Sequence, residues 1–350
     1  MFVRNCWYVA AWDYELKSGA IISRRIIGEA IVVYRTSAGE TLAMEDRCCH
    51  RSAPLSKGRI EGDAIRCMYH GFKFDREGVC IEIPGQVAIP RAAWVRKYPV
   101  AERYNWVWIW MGEPALADEQ LIPRGFGLAE AGWLTRSGHL DYQANYELLN
   151  DNLTDFTHLT YVHANSFRAP PEFALTRPHI ERLDRGLRVW RWMDTPARPD
   201  GIDQQQPMPA EVDTWMQYDY LAPGVFTMHT WVFPKGAADH FARKAPDRAV
   251  IPPLAQRFTS QAVTPMTATE TRYYFSVGTP VADGAEGLVE QMQRVTQLAF
   301  AEDKDMIEAQ QRVIDRDPDR PNVLTSSDRG PAQMRAVLQR LISMDTNAGS

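Results

Sequence analysis

Two short stretches decide the fold of the first third of this chain: Cys48-Cys49-His50 and, after sixteen intervening residues, Cys67-Met68-Tyr69-His70. Each stretch offers one thiolate and one imidazole, which are common ligands of iron and zinc. Residues that favour tight turns surround both stretches, among them Pro54, Gly58 and Gly71. The pattern predicts two metal-binding loops carried by a small β-rich domain.

Two kinds of metal site fit this pattern. A Rieske [2Fe-2S] cluster has two cysteines on one iron and two histidines on the other, whereas a structural zinc takes the same four side chains around one ion. Zinc sites usually pair their cysteines as C-x-x-C, and here each cysteine is paired with a histidine, which favours the cluster. Because C-x-H sets the spacing of the first loop, the predicted ligands exclude Cys49 and are Cys48, His50, Cys67 and His70.

Length and composition limit the class of protein. A chain of 350 residues predicts two domains. A formal charge of −5, with 24% charged residues, lacks the basic excess of a nucleic-acid binder. No signal sequence and no apolar run of roughly 18 residues occurs, so we expect no membrane partner and a cytoplasmic location. All five cysteines fall within the first 80 residues, which indicates metal binding rather than a disulfide framework.

The hydrophobic pattern predicts an α+β protein. Residues 1–115 read as short strands and turns, ending in a strand that contains Trp106, Trp108 and Trp110. Residues 116–350 contain further strands, at 211–220, 225–233 and 271–277, that suggest one antiparallel sheet. A helix is predicted from about Asn145, and the longest helix covers about residues 287–315. We therefore expect an N-terminal all-β domain (1–115), which carries the proposed Rieske loops, and a second domain (116–350) with an antiparallel sheet and long helices.

A second metal site is predicted in the second domain. His158 and His163 would point roughly 140° apart on a regular helix, so both can bind one metal only if the helix ends or bulges between them. Asp303 lies on the predicted inward stripe of the long helix, which includes Leu288, Met292, Val295, Ala299 and Met306. Two histidines and a carboxylate form the facial triad of non-haem Fe(II). The alternative is that both histidines are ordinary buried side chains and that Asp303 pairs with an arginine or faces solvent.

The metal-binding loops identify a family resemblance. The segments at residues 48–55 and 67–74 resemble the Rieske box of the ring-hydroxylating, or Rieske non-haem iron, oxygenases, and so do residues 5–10 and 83–86. The resemblance implies a helix-grip, START-like catalytic domain whose carboxylate ligand is Asp303, within Phe300-Ala-Glu-Asp. It also implies that Asp155 carries electrons between His158 and His70 of a neighbouring subunit, in a head-to-tail homotrimer, and that Asn152 lies near the iron.

The resemblance further implies how electrons arrive. No G-x-G-x-x-G nucleotide motif follows a strand in this sequence, so NAD(P)H is expected to act only through a separate reductase that carries flavin and a ferredoxin-type cluster. The expected cofactors are the [2Fe-2S] cluster and a mononuclear non-haem Fe(II), with O2 as co-substrate. The reaction expected is a monooxygenation.

The motifs look closest to the branch that contains vanillate O-demethylase, dicamba demethylase and toluenesulfonate methyl-monooxygenase. That branch implies hydroxylation of a methyl or methoxyl carbon of a monocyclic aromatic acid, as in O-demethylation of a vanillate-like substrate with release of formaldehyde. The alternatives are an aryl-methyl monooxygenase, a ring hydroxylase, and a Rieske electron carrier or aromatic-binding protein without catalytic iron. The expected pocket walls are Trp215, Gln217, His229, Trp231 and residues 273–275; no anchor for the acid group is assigned.

Overall fold

The computed structural model describes residues 1–169, 171–195 and 209–348. The chain forms two compact units. The first contains Met1–Ile122, the short segment Thr264–Ala268 and the chain end from Asp345, and the second contains Pro123–Val263 and Thr269–Met344. The first unit therefore extends to Ile122 rather than to residue 115, and it takes in two later segments that the sequence division placed in the second.

The first unit is built from strands, as predicted. Within Met1–Ile122 the other regular elements are 3-10 turns. The strands are β1 (Trp7–Trp12), β2 (Ile21–Ile26), β3 (Glu29–Arg35), β4 (Thr41–Glu45), β5 (Arg59–Glu61), β6 (Ala64–Arg66), β7 (Lys73–Phe74), β8 (Cys80–Glu82), β9 (Lys97–Tyr98), β10 (Val100–Arg103) and β11 (Trp106–Trp110). They form three sheets in the orders β1-β11-β10, β2-β3-β4-β9 and β5-β6-β7-β8.

The tryptophan strand β11 lies at the centre of its sheet. It pairs antiparallel with β1 on one side and with β10 on the other, and all five of its side chains are buried. Two of the three indole N–H groups find acceptors: Trp108 Nε1 donates to the Arg103 carbonyl at 3.1 Å, and Trp110 Nε1 to the Glu113 carbonyl at 2.9 Å. The third, Trp106 Nε1, is buried and has no hydrogen-bond partner among the described residues. Burial on both faces is what the uninterrupted apolar run predicts.

One large sheet forms the frame of the second unit. Its strands are β12 (Trp133–Tyr142), β13 (His179–Leu183), β14 (Gly186–Thr195), β15 (Val212–Leu221), β16 (Val225–Pro234), β17 (Ala255–Pro265) and β18 (Thr271–Pro280). They lie in the order β12-β18-β17-β16-β15-β14-β13. The helices are α1 (Tyr146–Thr154), α2 (Leu159–Val162), α3 (Glu172–Leu175), α4 (Ala237–His240), α5 (Ala285–Ile314) and α6 (Arg329–Ala348). In the described residues, none of these helices is long and apolar enough to cross a membrane.

The long helix α5 lies across β12 and β18. Its buried residues include Leu288, Met292, Ala299 and Asp303, as the sequence pattern predicts. Met306, which was expected on the same stripe, is 56% exposed, and Ile307 is buried in its place. The buried positions here follow a spacing of four residues, so a residue one position earlier is turned about 100° towards solvent.

Candidate metal centres and substrate cavity

The two cysteine loops have the same backbone turn. In the loop after β4, Cys48 N donates to the Ala53 carbonyl at 2.8 Å and Ser52 N to the Cys48 carbonyl at 3.0 Å. In the loop between β6 and β7, Cys67 N donates to the Phe72 carbonyl at 2.8 Å and Gly71 N to the Cys67 carbonyl at 3.0 Å. Each turn therefore holds its cysteine at the same point of the backbone turn.

The four predicted ligands divide into two pairs. The thiols of Cys48 and Cys67 are buried and contact each other, and burial raises the pKa of the Cys48 thiol to about 12. The exposed imidazoles of His50 and His70 have ring centroids 4.6 Å apart. Cys49 is exposed and belongs to neither pair.

Separate pairs fit two irons better than one zinc. A single tetrahedral ion requires all four donor atoms to converge. Among the described residues, only a group in the second unit brings three such donors within 4.8 Å of one another. Two sulfurs on one iron and two nitrogens on the other is the arrangement of a Rieske cluster.

The second predicted site is formed where helix α1 ends. The Asn145 side chain caps the start of α1 by accepting from Glu147 N at 2.8 Å, and the helix ends before Asp155, whose φ of −129° is extended. A 3-10 turn (Phe156–His158) and the single turn of α2 follow, and His163 lies just beyond α2 with φ −97° and ψ 32°. The predicted interruption between the two histidines is therefore confirmed.

The interruption brings three donors together. His158 Nε2 is 3.6 Å, and His163 Nε2 is 3.3 Å, from Asp303 Oδ1. Nε2 of His163 is buried and has no hydrogen-bond partner in the described part of the chain. A metal ion would satisfy this nitrogen and neutralise the buried Asp303 carboxylate. Two histidines with one carboxylate are the donor set of non-haem Fe(II).

The surroundings shift the pKa values of the two histidines in opposite directions. Burial lowers the pKa of His158, although the nearby Asp303 carboxylate opposes the shift. Burial also disfavours charge on His163, but the Asp303 and Glu302 carboxylates outweigh it and raise the pKa of that imidazole.

Neighbouring groups orient each donor side chain. His163 Nδ1 lies 3.0 Å from Glu302 Oε2, and Ser166 Oγ donates to the same oxygen at 2.5 Å. Asn152 Nδ2 donates to Asp303 Oδ1 at 3.1 Å, so Asn152 lies beside the three donors. Sequence reasoning missed Glu302 and Ser166; the only signal was a second carboxylate next to Asp303.

Asp155 contacts His158 in a way that the sequence did not predict. Its backbone carbonyl, rather than its carboxylate, lies 2.7 Å from His158 Nδ1. The carboxylate accepts from Thr157 N at 2.9 Å and caps the 3-10 turn. Helix α1 ends at Thr154, so Asp155 lies just outside it.

A cavity of about 250 Å³ opens beside the three donors. One face of the sheet, together with α5 and the segment around α2 and α3, supplies its walls. Most of the lining is apolar, with several threonines. The lining side chains include His158, His163, Asp303, Phe156, Phe167, Phe173, Thr214, Met216, Met228, Thr230, Arg257, Thr259, Met292, Thr296 and Phe300.

The sequence prediction of the pocket walls was wrong. It named Trp215, Gln217, His229 and Trp231, and none of these four side chains lines the cavity. The cavity is lined instead by their neighbours Thr214, Met216, Met228 and Thr230. Successive side chains of a strand point to opposite faces, and the sequence prediction took the wrong face.

The aromatic residues on the far face form a core of their own. Trp215 packs with Trp192 and Phe233. The His229 ring lies 4.0 Å from that of Phe126, and burial lowers the pKa of His229 to about 4. Residues 273–275 were also predicted as a pocket wall. Of these, Tyr273 lines a separate small space together with Asn152 and Asp303.

Comparison with known proteins supports this description. The Rieske [2Fe-2S] domain family matches residues 6–99, and the vanillate O-demethylase oxygenase C-terminal domain matches residues 142–344. The chain is 39% identical to the iron-sulfur subunit of the toluene-4-sulfonate monooxygenase system of Comamonas testosteroni, over 100% of this chain and 99% of that protein. It is 29% identical to a vanillate O-demethylase oxygenase subunit from a Pseudomonas strain, over 99% and 97%.

A solved structure shows the same fold. Dicamba monooxygenase bound to 3,6-dichlorosalicylic acid superposes with a TM-score of 0.86, at 27% identity, and 99% of each chain is covered. The cofactors are therefore a Rieske [2Fe-2S] cluster and a mononuclear non-haem iron, for which the residues described above fit. The chain belongs to the Rieske non-haem iron oxygenases that carry the vanillate O-demethylase C-terminal domain, and it is a monooxygenase.

Proposed function

We propose that this protein hydroxylates a methyl or methoxyl carbon of a monocyclic aromatic acid, with electrons supplied by a separate reductase. The observation that carries the proposal is a largely apolar cavity whose wall contains His158, His163 and Asp303. Its volume of about 250 Å³ is at the small end for ligand pockets, which suits one aromatic ring better than a fused ring system.

The side chains have separate roles in this reaction. His158, His163 and Asp303 are the proposed iron ligands, and Cys48, His50, Cys67 and His70 those of the cluster. When bound, the mononuclear iron supplies O2 activation at the coordination positions that three protein ligands leave open. The methionines and phenylalanines exclude water and hold the ring, so that only a substituent directed at the three donors is oxidised.

The product depends on which carbon is oxidised. Hydroxylation of a methoxyl carbon gives a hemiacetal, which breaks down to a phenol and formaldehyde. Hydroxylation of an aryl methyl group gives a benzylic alcohol. In either case one oxygen atom of O2 enters the substrate and the other leaves as water, with two electrons from the reductase and two protons.

The aryl-methyl reaction is the second candidate, and one observation favours it. The toluene-4-sulfonate relative is 39% identical along the whole chain, compared with 29% for the vanillate relative. A carrier without catalytic iron is disfavoured because all three donors are present and close together.

A substrate assay tests the proposal. Protein purified without oxygen should contain about three irons and two acid-labile sulfides per chain, as the two sites require. With NADH and a flavin–ferredoxin reductase, it should consume O2 in the presence of vanillate, 4-methoxybenzoate or 4-toluenesulfonate. Formaldehyde equal to the phenol formed would identify demethylation, and a benzylic alcohol would identify methyl oxidation. A protein with the full iron content that oxidises none of the three would contradict the proposal.

We also propose that electrons pass from the cluster of one subunit to the iron of the next, in a head-to-tail homotrimer. Asp155 is the proposed link, from His158 to His70 of a neighbouring subunit. Its position supports this role, since its backbone carbonyl contacts the His158 imidazole and its carboxylate caps the adjoining turn. A heterologous contact of this kind forms a ring when the rotation between neighbouring subunits closes.

Mixed oligomers test the electron route. Cys67→Ser removes the cluster and His158→Ala removes the mononuclear iron, so oligomers of either variant alone should be inactive. Co-expression with two different affinity tags, followed by two purifications, isolates oligomers that contain both variants. We expect the mixed oligomers to have the mass of three chains and to be active. Mixed oligomers without activity would show that electrons stay within one chain.

A further inference from the structure

A buried hydroxyl close to the mononuclear site has no hydrogen-bond partner in the described part of the chain. It belongs to Tyr273 on β18, which is 2% exposed. Removing a hydroxyl from water without a compensating hydrogen bond costs free energy, and buried polar groups in folded proteins nearly always have a partner. The protein therefore either bears this cost or holds a small molecule that supplies the bond.

The packing of the core fixes the position of this hydroxyl. The ring of Tyr273 meets the ring of Phe300 edge to face, with centroids 5.0 Å apart, and it meets the ring of Tyr142 in the same way at 6.0 Å. A ring held on two sides by other rings cannot carry its hydroxyl to a partner elsewhere while this packing is kept. The missing partner must therefore lie where the hydroxyl already is.

A small cavity of about 10 Å³ lies at this place. This volume is close to the least that one water molecule requires. The other polar residues of the lining are Tyr142, Asn152 and Asp303, and the rest are two leucines and an isoleucine. The Tyr142 hydroxyl already donates to the Phe300 carbonyl at 3.0 Å. Tyr273, Asn152 and Asp303 together offer the two to four polar partners that a buried water needs.

Asp303 connects this small cavity to the mononuclear site. The Nε2 atoms of His158 and His163 lie 3.6 Å and 3.3 Å from its Oδ1 atom, and Asn152 Nδ2 donates to the same oxygen at 3.1 Å. An ionised carboxylate has about four sites that can accept hydrogen bonds. Asp303 can therefore accept one from a water in the small cavity and still contribute an oxygen to a metal.

We propose that Tyr273 is a positioning residue of the mononuclear iron site, and that one buried water in the small cavity links its hydroxyl to Asp303 and Asn152. Such a water restricts the rotation of the Asp303 carboxylate, as hydrogen bonds to metal-binding carboxylates do. A phenol is neutral at ordinary pH, so it adds no charge beside the iron. The inference rests on the proposed assignment of Asp303 as an iron ligand, and it adds a partner of that ligand on a separate strand.

Three measurements on the anaerobically purified holoprotein test the inference. Competition with an Fe(II) chelator gives the affinity for iron, thermal melting gives the midpoint of unfolding, and the EPR spectrum of the ferrous site with nitric oxide reports the arrangement of its ligands. The variants are Tyr273→Phe, which removes only the hydroxyl, Asn152→Leu, and the double variant. Tyr98→Phe is the control, because the Tyr98 hydroxyl belongs to another buried tyrosine and donates to Glu29 Oε2 in the first unit at 2.7 Å.

Tyr273→Phe should weaken Fe(II) binding roughly 10-fold, the lower end of the range for losing a partner of a metal ligand, because a water lies between the two groups. It should also lower the thermal midpoint and change the EPR spectrum, since the water loses a partner and the carboxylate is held less firmly. The double variant should lose less affinity than the product of the two single losses, as residues of one hydrogen-bond network do. Tyr98→Phe should lower the midpoint and leave the iron affinity and the EPR spectrum unchanged.

A higher thermal midpoint in Tyr273→Phe would overturn the inference, because it would show that the hydroxyl is buried without a partner. Unchanged iron affinity, or single losses that simply multiply in the double variant, would also overturn it, since Tyr273 would then act on packing alone or independently of Asn152. Failure of the ligand assignment looks different, because Asp303→Ala would then bind Fe(II) as tightly as the wild type. Failure of the proposed reaction would appear only in the substrate assay, where protein with its full iron content would oxidise no methyl or methoxyl arene.

Discussion

We expect Glu302 to influence the affinity of the proposed mononuclear iron site, although it is not one of the three proposed donors. The His163 imidazole is only 1% exposed, and its Nδ1 has the Glu302 carboxylate as acceptor at 3.0 Å. With a metal bound at Nε2, the ring hydrogen would lie on Nδ1 and be donated to the Glu302 carboxylate. We therefore expect Glu302 to fix both the tautomer and the orientation of this imidazole when a metal is bound.

Replacing Glu302 should weaken iron binding without affecting the cluster. Loss of a partner of this kind typically reduces metal affinity 10- to 100-fold, or about 1.4–2.7 kcal/mol. Glu302→Ala should fall near the upper end, because it strands a buried N–H and also removes the acceptor of Ser166. Glu302→Gln should fall near the lower end, since its amide oxygen can still accept from Nδ1.

Competition between the protein and an Fe(II) chelator measures this affinity, and the visible spectrum of the cluster confirms that the first unit is intact. Glu286→Gln is the matched control, because Glu286 lies on the same helix in an exposed ion pair with Arg136. If Glu302→Ala binds Fe(II) as tightly as the wild type and the Glu286 variant, the assigned role of Glu302 is wrong.

Four further outcomes are expected. His158→Ala should lose the mononuclear iron and keep the cluster, so iron analysis should fall while the red colour remains. Asp155→Asn should retain both metals and lose turnover, and full activity with normal iron content would reject the proposed electron link. Burial lowers the pKa of His229 to about 4 in the folded chain, whereas an unfolded chain has a value near 6.5. Between these values the unfolded chain binds a proton that the folded chain does not, so the unfolding free energy should fall by up to about 3 kcal/mol as the pH falls from 6.5 to 4. The thermal midpoint of His229→Gln should depend less on pH over this range. Gly278→Ala would place a Cβ 2.0 Å from the Phe258 ring and should lower the unfolding free energy by about 1–3 kcal/mol, measurable by thermal melting.

The metal-binding loops could be predicted from the sequence because their chemistry is local. Cys48 and His50, like Cys67 and His70, are close along the chain, and each pair lies within one turn. The break between His158 and His163 was equally accessible, since helix geometry alone forbids both from meeting one ion on a continuous helix.

Contacts between distant segments were harder to predict. Glu302 and Ser166 meet at His163 only because α5 returns to the segment after α2. In a helix, adjacent residues such as Glu302 and Asp303 do not usually share a face. The pattern that identified Asp303 as buried therefore gave no reason to select its neighbour.

The error over the cavity walls has a different origin. In β15 and β16 both faces are buried or half-buried along most of their length, so apolar and aromatic residues occur at odd and even positions alike. Trp215 and Met216 are equally plausible wall residues by composition. The choice depends on which face α5 covers, and only the fold determines that.

Because side chains alternate along these strands, the residues that shape the cavity are different from the residues that stabilise the far face of the sheet. Thr214, Met216, Met228 and Thr230 determine what fits in the cavity, whereas Trp215 and its aromatic neighbours sustain the far side of the sheet. A position that faces the cavity can be substituted without changing the aromatic core on the far face. Substrate specificity can therefore change while the stability that this core contributes is retained. A directed-evolution library confined to the ligand-facing positions should consequently yield mostly folded, cluster-containing variants.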